Sequence, residues 1–111
     1  MNRHAVIIEK SAQADVRRSY EWGCHFWGKR VAQKWVHELR TAILKQLRAT
    51  PRALPFTPED KEFTEEIRQM VVGRYRVLFT VRGRSVHVLH IRGAHVDPVI
   101  GSVRNPVRSR R

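Results

Sequence analysis

A chain of 111 residues, 41% hydrophobic and 29% charged, holds enough apolar material for one domain core and excludes two. Twenty-two Lys and Arg against ten Asp and Glu give +12, an excess that points to a polyanionic or acidic partner. No apolar run approaches the ~18 residues of a membrane span, the four-residue run ended by Glu9 is too short for a signal-peptide core, and a single cysteine, Cys24, excludes an intrachain disulfide and fits a reducing cytoplasm.

The short β-branched run at 5–8 predicts a first strand. Ser11 is placed to cap the helix that follows, with Asp15 near the positive end of its dipole. From 12 to 47 the apolar spacing is helical. Ala12, Val16, Tyr20, Cys24 and Trp27 form one stripe, and Ala32, Trp35, Val36, Leu39, Ile43 and Leu47 form another. At ~100° per residue, Val16 and Ile43 would lie on opposite sides of one straight helix. Gly23 and Gly28 bracket a break, so the segment predicts an αα-hairpin with helices at 11–25 and 29–49, ended by Pro51 and Pro55. Trp22, Trp27 and Trp35 are expected in core and helix–helix packing, and Cys24 as a small buried hydrophobe.

Residues 50–64 contain three of the five prolines and predict a connecting loop, with a turn of helix near Pro58. Three strand-like runs follow at 66–72, 74–82 and 84–92, separated by Gly73 and by Gly83-Arg84. The second break fits a type II′ hairpin, so the runs predict an antiparallel meander. Alternation sets Tyr75, Val77, Phe79 and Val81 against Arg74, Arg76, Leu78, Thr80 and Arg82. In the last run it sets Val86, Val88, His90 and Arg92 against His87, Leu89 and Ile91. The expected domain covers 1–98, and 99–111 is expected to be a flexible tail with Arg104, Arg108, Arg110 and Arg111. The order β-α-α-β-β-β is α+β, a helical hairpin on one face of a small sheet.

Charge is unevenly spread. From Arg68 to Arg111 there are ten Arg, no Lys and one acid, Asp97, so this part carries +9 of the +12. Guanidinium grips phosphate bidentately and stacks on bases, which favours a polyanion site there. Arg emerges at the strand ends, and Arg68, Arg74, Arg82 and Arg84 are the expected nucleic-acid contacts.

The segment Ile67-Arg68-Gln69-Met70-Val71-Val72-Gly73-Arg74-Tyr75-Arg76-Val77-Leu78-Phe79 is similar to the I-R-x-(L/M)-x-x-G-x-Y-R-(V/L)-(L/F)-(F/Y) block of the RelE/ParE superfamily. Those are toxins of bacterial type II toxin–antitoxin systems, of the plasmid-stabilisation kind. Ala14-Asp15-Val16 through Tyr20 resembles the family's first helix, and Leu39 through Leu47 with Pro51 resembles its second. The closing run Val86 to His95 resembles its last strand and Arg/His cluster. The resemblance spans about residues 5–97.

What the resemblance implies is a small cytoplasmic toxin, silenced by a cognate antitoxin laid across its basic face or its hairpin. RelE-like members cut mRNA in the ribosomal A site without a metal, and ParE-like members poison DNA gyrase with no recognised catalytic residues. Metal-free RNA cleavage needs a base, an acid and positive charge on the phosphorane. Arg76 and Arg92 match the family's strand arginines, and His95 and His90 are the acid–base candidates. A ribosome-dependent endoribonuclease is therefore the first expectation. A gyrase poison acting by binding alone and a non-toxic nucleic-acid-binding relative are the alternatives, favoured by the absence of a Tyr beyond Tyr75. Neither metal nor cofactor is expected. His87 and His90, three apart in a strand, should point to opposite faces, and the chain lacks a Gly-rich phosphate loop.

Overall fold

A computed structural model describes residues 3–57 and 64–93. The elements in order are β1 (Ala5–Ile8), α1 (Lys10–Trp27), α2 (Lys29–Ala49), a one-turn 3-10 helix (Pro51–Ala53), β2 (Arg68–Val72), β3 (Tyr75–Arg82) and β4 (Ser85–Gly93). The sheet order is β1-β4-β3-β2, with β1 parallel to β4 and the other pairs antiparallel. The α+β architecture matches the sequence expectation. The tail at 99–111, the boundary at 98 and the turn near Pro58 lie outside the described residues.

The two helices meet at one residue. Gly28 takes φ +96°, which an L side chain rarely adopts, and its N–H closes α1 on Cys24 O at 3.1 Å. Gly23 is not part of the break. It lies buried inside α1, where a Cβ would sit 3.2 Å from the Trp27 ring and 3.4 Å from the Ala32 methyl. The helix therefore runs two residues past its expected end. The reason is packing: a glycine can stay helical when its bare surface lets a ring and a neighbouring helix close in.

The core lies between the hairpin and one sheet face. Ala12 and Val16 of α1 and Leu39, Ile43 and Leu47 of α2 pack against Tyr75, Val77 and Phe79 of β3 and Val86, Val88 and Ile91 of β4. Of the expected stripes, Ala12 and Val16 of the first and Ala32, Leu39, Ile43 and Leu47 of the second are buried, whereas Tyr20, Cys24, Trp35 and Val36 are only half-buried, as is Trp22, so Cys24 is not the fully buried hydrophobe expected. Trp35 packs against Tyr75 at 4.8 Å between ring centroids, the planes tilted. Trp27 departs from expectation: it is the last residue of α1 and is 47% exposed.

Strand β4 departs from simple alternation. Leu78 pairs with His90, but Phe79 pairs with Val88, so Leu89 is an extra residue and the register shifts. Val86, Val88 and Ile91 all reach the core, at spacings of two and three. Only a bulge permits that. His90 and Arg92 therefore do not share the face of Val86 and Val88. They fall in register with Leu78 and Arg76, on the side away from the core. The same shift puts His87, opposite Thr80, on the side of His90, so the opposite-face expectation for that pair is also corrected.

Strand β1 covers β4 only from Ser85 to Val88. Beyond it, the start of α1 continues the ladder with whatever donors and acceptors it has. Glu9 N–H donates to Val88 O at 3.0 Å, Ser11 Oγ donates to Leu89 O at 2.6 Å, and Asp15 Oδ2 accepts the Ile91 N–H at 2.8 Å. So Ser11 is not the cap: α1 starts at Lys10, with Glu9 at the capping position and making no side-chain cap bond. An open strand edge needs partners more than a helix end that water can satisfy.

Candidate functional site

The sheet face away from the helices brings two of the expected site residues together. Arg76 on β3 and Arg92 on β4 are direct cross-strand partners. Like charges placed opposite one another disfavour strand pairing unless polar or negative groups offset them. Arg76 is held in this way: its Nη1 donates to Gln69 Oε1 at 3.0 Å and lies 3.5 Å from Thr57 Oγ1. Gln69 comes from β2 and Thr57 from the segment that pairs along the outer edge of β2. Sequence reasoning missed both partners, since neither lies near Arg76 in the motif.

The acid–base candidates are placed differently. His90 Nδ1 is 3.2 Å from Asp15 Oδ2, and His87 Nδ1 is 2.7 Å from Glu9 Oε2. Both strand histidines thus turn toward carboxylates at the β1–α1 corner. His95 lies outside the described residues. The described face can concentrate positive charge on an anion; His90 shares that face two residues before Arg92, with its Nδ1 turned to Asp15.

The four expected nucleic-acid contacts scatter. Arg68 Nη1 donates to Leu54 O at 2.6 Å, and its guanidinium carbon lies 4.2 Å from the Phe56 ring centroid, so it pins residues 54–56 against β2. Arg74 is not in a strand: Val72 pairs with Tyr75, leaving Gly73-Arg74 as the two-residue turn. Arg84 sits in the corresponding turn after Gly83, where Arg82 pairs with Ser85. Both turns begin with a glycine in the left-handed region, at φ +59° and +60°. They mark opposite ends of β3, roughly 25 Å apart at ~3.3 Å per residue.

Arg82 makes a bidentate pair with Glu65, Nε to Oε1 at 2.8 Å and Nη2 to Oε2 at 2.6 Å. The Arg82 guanidinium holds the Glu65 carboxyl below its ordinary value of 4.5, and Glu65 in turn raises Arg82. A depressed carboxylate stabilises the fold above its unfolded value and loses that contribution as pH falls through the folded one. Thermal melts of wild type and Glu65→Gln are therefore expected to differ at neutral pH and to converge as pH falls from the ordinary value of 4.5 through the lower folded one. A difference that persisted into acid would rule this out. The pair is partly exposed, so the effect is small.

A family model described as the ParE toxin of type II toxin–antitoxin system, parDE, matches residues 6–98. The chain belongs to this ParE toxin family. It is the toxin partner of a type II system, and a cognate antitoxin is its implied partner. The fold is also similar to a solved structure described as the chromosomal ParDE toxin–antitoxin system from P. aeruginosa. The likeness has a TM-score of 0.70 at 19% identity and covers 84% of this chain and 98% of that one. Comparison with curated protein sequences finds no match. Among the described residues of this ParE-family toxin, no three His, Cys, Asp or Glu side chains gather as a metal site, and no helix is long and apolar enough to cross a membrane.

One exposed group was not foreseen, and Trp27 within it was expected in the core. Phe26, Trp27 and Val31 are 60%, 47% and 50% exposed around Gly28 at the tip of the hairpin. The signal was present: two aromatics directly before the residue that turns the chain cannot both stay over the sheet.

Proposed function

We propose that this ParE-family toxin arrests growth by binding DNA gyrase, with no bond-making chemistry of its own, until its antitoxin captures it. One observation carries this choice over RNA cleavage. The Nδ1 atoms of the two strand histidines are engaged by the carboxylates of Glu9 and Asp15, at 2.7 and 3.2 Å, which favours a structural role for both rings over proton transfer at Arg76 and Arg92. The ribonuclease reading keeps one observation in its favour, the cross-strand pairing of Arg76 with Arg92, which suits a phosphate.

Induction of the chain in bacteria, with DNA and protein synthesis pulse-labelled in parallel, separates the two. The expected result is early loss of DNA synthesis with the SOS response on, and inhibition of supercoiling by purified gyrase in the absence of ribosomes. Arg92→Ala is expected to retain that inhibition. Early loss of protein synthesis with newly cut mRNA, reduced ~10²–10³-fold by Arg76→Ala or Arg92→Ala, overturns the proposal in favour of the ribonuclease.

A further inference from the structure

We propose that the tip of the helical hairpin is the surface that grips the target, and that it fits an apolar groove rimmed by carboxylates. This rests on the gyrase reading and names the toxin's side of that contact. Of the six large hydrophobic residues with substantial exposure among the described residues, three fall within six positions: Phe26, Trp27 and Val31. A one-residue helix connection needs only Gly28, and polar residues around it would serve the fold better. Aromatics kept in water at a convex end are the kind of anchor that dominates protein interfaces.

The anchor is also held in shape. Trp22 lies 4.7 Å from Phe26 and edge-on to Trp27 at 5.0 Å, by ring centroids. Trp27 rests against the bare backbone of Gly23. Rings already fixed by one another lose little side-chain freedom on docking. They also engage each other tilted or edge-on and so offer no parallel platform for successive bases, which favours a protein groove over single-stranded nucleic acid.

Charge specifies the rim. Residues 21–34 contain three cations, Lys29, Arg30 and Lys34, against one carboxylate, Glu21. Lys29, Arg30 and Lys34 are exposed beside the apolar tip. A groove edged with Asp or Glu would meet them and speed encounter. The tip belongs to the helix layer, and Arg76 and Arg92 belong to the far face of the sheet, so the two surfaces can be altered independently.

The test is supercoiling inhibition and direct binding with purified gyrase, using Phe26→Ser/Trp27→Ser and, separately, Lys29→Glu/Arg30→Glu. Melting temperature controls for folding. Val31→Asp, at a half-exposed site outside the core, serves if the aromatic double variant melts early. The expected result is at least a tenfold loss of inhibition for the apolar variants and a salt-dependent loss for the charge reversal. Folded variants that inhibit as well as wild type overturn the inference and leave the gyrase reading standing. Wild-type protein that never inhibits or binds gyrase fails both. Single-stranded oligonucleotide binding that these variants abolish, with gyrase inhibition intact, overturns the inference in favour of nucleic acid.

Discussion

Replacing Asp15 with alanine is expected to lower the unfolding free energy by about 2–3 kcal/mol, read as a lower urea midpoint at unchanged slope. The carboxylate is buried on α1, its side chain only 10% exposed. Its Oδ2 accepts the Ile91 N–H at 2.8 Å and meets His90 Nδ1 at 3.2 Å, while Oδ1 pairs with Arg18. Strand β1 stops pairing at Val88, so Asp15 stands in for strand at Ile91. Truncation strands a buried N–H, and that desolvation penalty is the larger part of the effect. Faster amide exchange at Ile91 should accompany it. Asp15→Asn keeps an acceptor and should cost less. An unshifted midpoint in Asp15→Ala would show that water replaces the carboxylate freely. The same variant frees His90, and under the proposed function no RNA cleavage should appear.

Phe79→Ala is expected to cost about 3–5 kcal/mol, the loss of a large fully buried ring plus the cavity it leaves. Phe79 is 0% exposed at the centre of β3, between the hairpin and β4. Domains of this size hold roughly 5–15 kcal/mol in all, so the variant should be near its unfolding transition at physiological temperature. Val71→Ala, at a position 63% exposed, is expected to stay within about 0.5 kcal/mol of wild type. A Phe79→Ala midpoint close to that of Val71→Ala would contradict the packing described here. The ring has a second task. Phe79 lies just past the bulge and pairs with Val88, so its burial helps hold the register that places Arg92 opposite Arg76.

Much of this molecule was legible in its residues. Apolar spacing gave the αα-hairpin, because Val16 and Ile43 could not share a face of one helix. Glycines at the strand breaks gave the meander, because Gly73 and Gly83 supply the positive φ that two-residue turns need. The Ile67-to-Phe79 block pointed to the superfamily before any contact was known. The site was less legible. Alternation set Arg76 on the face opposite Tyr75, Val77 and Phe79, where it lies, but its partners Gln69 and Thr57 come from other parts of the chain.

What the sequence determined by itself is local: which segments are helix, which are strand, where the chain turns, and how strongly basic the second half is. These follow from periodicity, backbone freedom and charge count. Tertiary structure decided the rest. The bulge at Leu89 arose because Val86, Val88 and Ile91 must all reach one core, and it carried His90 and Arg92 to the other face. Ser11 and Asp15 left their expected helix-end roles because the uncovered edge of β4 had no other partner for Leu89 O and the Ile91 N–H. Phe26 and Trp27 came to stand in solvent at the hairpin tip, which helical spacing alone did not reveal. At the bulge and at the start of α1, a demand from a distant strand outweighed a local preference worth about 1 kcal/mol.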